Sequence, residues 1–280
     1  MSLISLLIAL AAEKYLSSSA WQFNTYFKQY YQFFTGLKFF GSPNSSQLAS
    51  AIFIILPVAV CYFLLTLVED GFLHLVISTL VLIVCFGCVK TRECYKQYLT
   101  AAFKGEQTTC SMHHKQLKQD KNLEEMGFGQ SLIWLNFRYF ISVMLFFVVF
   151  GAPGALFYRL LAKVNEEQCE NTECEKTEQV DSFNRAVIFW VDWLPVRLVS
   201  FGYMFVGHFS RALPTWLEYT FDVNKQPYRI LAGVAQKSED FMVDADDCTA
   251  EPCLLVRLAK RTLLLFLAVI SILILTGVIS

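Results

Sequence analysis

Residues 49–68 read ASAIFIILPVAVCYFLLTLV, an uncharged run that is long enough to cross the roughly 30 Å hydrocarbon core of a bilayer as a helix. The stretch 72–89 is also uncharged, and the short acidic link Glu69-Asp70-Gly71 between the two runs predicts an antiparallel helical hairpin. A soluble domain of this size needs no such runs. We therefore predict an all-α, polytopic membrane helix bundle.

The composition of the whole chain points the same way. Its 280 residues are 55% hydrophobic and 17% charged, with a mean hydropathy of +0.44, whereas about a quarter of the residues of a soluble chain are charged. The formal net charge is -1, so there is no overall basic field to hold nucleic acid. We expect the lipid bilayer as a partner, and no nucleic acid.

Two more apolar runs predict spans at 137–160 and 262–279. The first contains Gly151 and Pro153, which predict a kink that packing against neighbouring helices must compensate. The second follows a cluster of basic residues, which predicts that it starts inside and ends outside. The bundle therefore has at least four spans.

A fifth candidate span covers 186–209, but it carries Asp192, Pro195 and Arg197. Charges and a proline at membrane depth predict a broken or re-entrant helix that packs against protein. The opening apolar run, 1–12, is too short to cross and predicts a short buried or interfacial helix that continues past Glu13.

Basic residues close the first hairpin at Lys90, Arg92 and Lys96. By the positive-inside rule they place the loop 90–131 in the cytoplasm, where we expect it to be helical. We treat residues 1–280 as a single integral-membrane domain.

Ionisable residues at membrane depth are the candidates for function, because a buried charge is costly unless it is paired or faces a cavity. They are Glu13, Arg138, Arg159, Asp192 and Arg197. Asp192 needs a cationic neighbour. Arg138 or Arg159 could supply it, and Arg197 could do so only if the helix breaks at Pro195. Two interpretations stay open at this point: the charges hold helices together, or they line a ligand cavity.

Two C-x4-C pairs lie in acidic stretches, Cys169 with Cys174 and Cys248 with Cys253. Both could be local disulfides if their loops face an oxidising compartment. The second pair conflicts with the topology, since the basic residues just after it predict a cytoplasmic, reducing side if 186–209 crosses. Either that segment is re-entrant or the second pair is reduced.

Familiar enzyme signatures are missing from the sequence. There is no phosphate-binding loop, no G-x-S-x-G elbow and no H-E-x-x-H helix. The cluster of Cys110, His113 and His114 lies among lysines, which favours a solvated loop over a metal site. We predict no metal, no cofactor and no catalytic residue, and we do not favour an enzyme.

Several stretches resemble the AmpE family of bacterial inner-membrane proteins, and the resemblance, which includes the opening run into Glu13, extends from end to end of the chain. The most specific is DWLPVRL at 192–198. The other stretches that carry the resemblance are GCVKTRECYKQYLTAA at 87–102, LIWLNFRYF at 132–140 and GAPGALFYRL at 151–160.

This resemblance implies a multi-pass inner-membrane protein that regulates or transduces signals in cell-wall stress and β-lactamase induction. It implies action through a small phosphorylated or cell-wall-derived ligand, or through a protein partner. The residues that we expect to bind the ligand are Glu13, Arg92, Arg138, Arg159, Asp192, Trp193 and Arg197.

The family is itself similar to the membrane-bound cobinamide-phosphate synthases, which gives an alternative function. That similarity implies a membrane-embedded ligase that joins an amino-alcohol phosphate to a carboxylate. Two arginines that converge unpaired would favour the ligase. If Arg138, Arg159 and Arg197 all pair with Asp192 and Glu13 in a dry core, the ligase loses its chemistry. A transporter is less favoured, because the sequence has no internal repeat.

Overall fold

The structure is a computed structural model that describes residues 2–15, 21–36, 46–68, 70–87, 89–121, 123, 126–168, 175–239 and 249–277. Within these ranges the chain is helical and contains no strand. The helices are α1 (Ser2–Tyr15), α2 (Phe23–Gly36), α3 (Gln47–Leu67), α4 (Gly71–Cys85), α5 (Val89–Phe103), α6 (Gln107–Lys121), α7 (Phe128–Asn136), the π-helical turn π1 (Phe137–Ile141), α8 (Ser142–Gln168), α9 (Glu175–Val206), α10 (Phe209–Phe221), α11 (Pro227–Ser238) and α12 (Ala250–Leu275).

Four helical stretches within the described ranges are long and apolar enough to cross a membrane. They are Gln47–Leu67, Phe128–Glu166, Ser182–Val206 and Ala250–Leu275, and α4 with α5 makes a fifth if that bent pair is one span. The predicted fold class, an all-α bundle with four or five spans, is therefore confirmed. The opening run is confirmed as the short helix α1, which continues past Glu13.

The two breaks predicted within helices have different outcomes. The kink near Gly151 is confirmed, because Gly151 adopts φ 70° within α8, a conformation that favours glycine. The break at Pro195 is wrong: α9 runs through it to Val206. Proline removes one helical hydrogen bond, whereas opening the helix among apolar surroundings would expose several backbone groups, so the continuous helix costs less.

The chain divides into two compact units. Unit 1 comprises Met1–Gly87, Ser142–Ile188 and Ile270–Ser280, and unit 2 comprises Cys88–Ile141 and Phe189–Val269. The single-domain interpretation of residues 1–280 stays a prediction.

In unit 1, α1 packs against α4, and both α3 and α4 pack against α8. The aromatic side chains of α2 surround the fully buried Phe53 of α3. The Tyr30 ring lies 4.6 Å from the Phe53 ring, and the Tyr30 hydroxyl donates to the Phe53 carbonyl at 3.0 Å. Ser46 caps α3, since its hydroxyl accepts from the Ala49 N–H at 3.1 Å. These contacts fix the amphipathic helix α2 on the apolar helix α3.

In unit 2, α5 and α6 form a helical hairpin that lies within the loop predicted at 90–131. It packs on α7 through Tyr98, whose ring stacks on Phe128 at 3.8 Å between centroids. In the same unit, α10 packs against α11 and α11 packs against α7. The second half of α9, which carries the DWLPVRL motif, belongs to this unit.

Candidate functional site

The motif at 192–198 places an acidic residue in the interior of unit 2. Asp192 is 1% exposed, and its Oδ2 lies 4.0 Å from Nη2 of Arg138 on π1. A buried carboxylate is costly unless a cation compensates it, so this ion pair explains how Asp192 is tolerated. The pair links π1 to α9, and Arg138 is one of the cationic partners predicted for Asp192 from the sequence.

Arg138 owes its position to the π-helical turn, which the sequence analysis missed. A π turn inserts one extra residue into a helix and rotates the side chains that follow, and such turns are frequent at functional sites. The Arg138 guanidinium also lies 4.9 Å from the Trp134 ring, a cation–π contact. The only hint in the sequence is the bulky run NFRYF, which has no distinctive spacing.

Arg197 is engaged by backbone carbonyls. Its Nε donates to Thr220 O at 3.1 Å, its Nη1 to Trp193 O at 3.0 Å and its Nη2 to Asp222 O at 3.0 Å. Two of these acceptors lie at the C-terminal end of α10, where helical carbonyls have no partner within the helix and the helix dipole is negative. The buried Arg197 therefore caps α10.

Aromatic side chains cover this cap. The Arg197 guanidinium lies 4.0 Å from the Trp193 ring, so the predicted site residue Trp193 shields the charge. Trp216 of α10 donates its Nε1–H to Arg197 O at 3.4 Å, and Ser200 donates to the same oxygen at 3.0 Å. We call Arg138, Asp192, Trp193 and Arg197 together the α9 clasp, because they join π1, α9 and α10.

Two other predicted site residues, Glu13 and Arg159, lie in unit 1. Arg159 is 5% exposed, donates from Nη2 to Gly87 O at 3.3 Å and places its guanidinium 5.1 Å from the Phe23 ring. Glu13 packs so closely on Gly87 that a Cβ there would lie 2.8 Å from Glu13 Cγ. Both side chains thus meet at the turn after α4.

The seventh predicted site residue, Arg92, lies partly exposed in the first turn of α5 in unit 2. Its role in binding a ligand stays a prediction.

The predicted disulfides stay untested. Cys169, Cys174 and Cys248 lie outside the described residues. The Sγ of Cys253 accepts a hydrogen bond from the Tyr95 hydroxyl at 3.9 Å.

The cluster at the start of α6 is built into the helical hairpin. The Cys110 thiol donates to Tyr98 O at 3.7 Å, and His114 Nε2 lies 3.0 Å from Met126 O. In the part of the chain that the structure describes, no three His, Cys, Asp or Glu side chains are grouped so that they could hold a metal ion.

Comparison with known proteins identifies related sequences. The family model described as regulatory signalling modulator protein AmpE matches residues 1–280. The protein AmpE of Shigella flexneri is 28% identical over 214 residues, which cover 72% of this chain and 74% of that relative. No solved structure matches the chain significantly.

These matches confirm the resemblance drawn from the sequence, and with it a regulatory, signal-transducing membrane protein. Neither match supports the more distant similarity to cobinamide-phosphate synthases. Of the three arginines named for that alternative, Arg138 pairs with Asp192, whereas Arg159 and Arg197 donate to backbone carbonyls.

Proposed function

Because this chain belongs to the AmpE family of regulatory signalling modulators, we propose that it acts in the bacterial inner membrane, in cell-wall stress and β-lactamase induction. We propose further that it acts by binding a ligand or a protein partner, and that this binding changes the contacts of the α9 clasp. The observation that carries this proposal is the Arg138–Asp192 pair together with the Arg197 cap, because they join three helical elements through a few exchangeable polar contacts.

The contacts of the clasp are of a kind that a bound ligand could replace. Arg197 holds α10 through hydrogen bonds to neutral carbonyls, and a phosphate or carboxylate would be a stronger acceptor for the same guanidinium. An anionic ligand that reaches Arg197 would therefore release the end of α10. A small phosphorylated or cell-wall-derived molecule would carry such an anionic group, and a protein partner could then bind the released helix.

A reporter of β-lactamase induction tests the proposal in cells that lack their own copy of the protein. Wild type, Asp192→Asn and Arg197→Met are compared with Arg257→Met, an exposed arginine on α12 outside the clasp. We expect the two clasp variants to lose the response while Arg257→Met keeps it, at equal amounts of protein in the membrane. Normal induction by both clasp variants would refute the role of the clasp. Induction that is the same with and without the wild-type protein would refute the proposed function.

A direct binding measurement complements the reporter. The purified protein is scanned for thermal stability against muropeptides, phosphorylated amino alcohols and nucleotides. A ligand present at a hundred times its Kd stabilises the folded state by roughly 2.7 kcal/mol. We expect one class to stabilise the wild type and Arg257→Met but not Arg197→Met. Equal stabilisation of all three proteins would place the ligand elsewhere.

A further inference from the structure

Helix α10 has two apolar faces, and only one of them is covered within unit 2. Ala212 is fully buried on the face that packs against α11, and Leu213, Trp216 and Tyr219 are partly buried against the same cluster. The other face carries the exposed apolar residues Phe209, Leu217 and Phe221. Phe209 is 48% exposed, Leu217 42% and Phe221 80%. We call these three residues the α10 stripe.

The path of the chain places α10 beside α9. Two residues separate the end of α9 from the start of α10. The far end of α10 is held by Arg197, which lies nine residues before the end of α9. At 1.5 Å per residue this is about 14 Å back along α9. Trp216, midway along α10, donates to the carbonyl of the same arginine. α10 therefore folds back along α9.

α11 then returns to the point where α10 began. His208 N donates to Ser238 O at 2.8 Å, and a Cβ on Gly207 would lie 2.3 Å from that oxygen. α10 has 13 residues and α11 has 12, so each is roughly 18–20 Å long and too short to cross the hydrocarbon core. The pair is a hairpin that starts and finishes at the same end of α9.

The exposed face of α9 bears on what contacts the α10 stripe. α9 carries a row of exposed apolar residues at helical spacing, Leu194, Leu198, Phe201 and Phe205, as expected of the lipid-facing side of a span. The ring of Phe201 contacts the ring of Trp216 at 5.4 Å between centroids. The apolar surface of α9 thus continues onto α10.

From this continuity we infer that α10 and α11 form a re-entrant hairpin in the bilayer, with the α10 stripe against lipid acyl chains. Glu218 lies on the other side of the stripe and is exposed, as expected for the polar edge of such a helix. The inference goes beyond the proposed function, since it requires only that the chain spans a membrane.

Photo-crosslinking in native membranes tests the inference. The photoreactive amino acid p-benzoylphenylalanine is introduced into the full-length protein at Leu217 or Phe221 on the stripe, at Glu218 as the matched control on the same helix, and at Phe205 as the reference on α9. All four side chains are exposed, so the replacements should not disturb the fold. Membranes with radiolabelled phospholipid are irradiated, and the label on the protein is measured.

We expect phospholipid adducts at Leu217 and Phe221 as strong as at Phe205, with little label at Glu218. Adducts at Phe205 without adducts at Leu217 and Phe221 would overturn the inference, because the hairpin would then lie outside the lipid. Crosslinks from the stripe to another protein or to a second copy would overturn it in favour of a protein interface. Equal labelling at Glu218 would refute the assignment of the stripe as the lipid-facing side. If the Leu217 variant does not fold, the more exposed Phe221 decides alone.

Discussion

Replacing Arg197 by methionine should release the C-terminal end of α10. Methionine keeps an apolar side chain of similar length but donates no hydrogen bond, so Thr220 O and Asp222 O lose the contacts at 3.1 and 3.0 Å that satisfy them. An acceptor that is left without a partner costs about 1–3 kcal/mol when it is fully buried. Thr220 is only partly buried and Asp222 is exposed, so the cost here lies at the lower end of that range. Removing the buried guanidinium recovers part of this cost, and losing its contact with Trp193 adds to it.

The expected net loss is about 1–2 kcal/mol in the local stability of this helix end. A factor of ten corresponds to 1.4 kcal/mol, so amide hydrogen exchange at 217–221 should become about 5- to 30-fold faster in Arg197→Met. Arg257→Met is the control and should leave these amides unchanged, because Arg257 is exposed on α12. Arg197→Lys should fall between the two, since lysine keeps the charge but lacks the planar fork.

Unchanged exchange at 217–221 in Arg197→Met would refute the reasoning. It would mean that the carbonyls of α10 find other partners and that Arg197 is not their cap. Faster exchange over the whole of unit 2 would instead show that Arg197 supports the unit as one cooperative structure.

Three further predictions concern other parts of the chain. Gly87→Ala should lower the free energy of unfolding by more than Gly105→Ala. Both residues have φ near +75°, which costs an alanine about 1–2 kcal/mol, but only at Gly87 would the added Cβ also meet the Glu13 side chain. Equal losses of stability in chemical denaturation would contradict this. Burial lowers the pKa of His114 below its ordinary value of 6.5, so the unfolded state binds more protons and thermal stability should fall as the pH drops through about 6.5. The thermal stability of His114→Asn should depend less on pH. The same pH profile in both proteins would contradict the lowered pKa of His114. Tyr203→Phe should be neutral or stabilising by about 1 kcal/mol in thermal unfolding, because the buried Tyr203 hydroxyl has no hydrogen-bond partner among the described residues, and a clear loss of stability would show that the hydroxyl is bonded.

The sequence by itself determined where the chain can enter the membrane. The runs that became α3 and α12 are uncharged over about the thickness of the hydrocarbon core, and a helix is the structure that satisfies a single chain's backbone there. The sequence also pointed to Asp192, Arg138 and Arg197 as important, because charges in apolar runs need partners. The kink at Gly151 followed from the local chemistry of glycine and proline.

The tertiary structure alone decided what these residues contact. Arg197 binds backbone carbonyls, which every residue possesses, so nothing in the side chains at 220–222 marks them as its partners. The π turn that aims Arg138 at Asp192 depends on packing, and no residue spacing encodes it. The continuity of α9 through Pro195 likewise reflects the cost of opening a helix among apolar neighbours, which outweighs the local preference of proline. Composition and periodicity describe what each segment prefers alone, whereas the partner of a buried charge is fixed only when the helices pack.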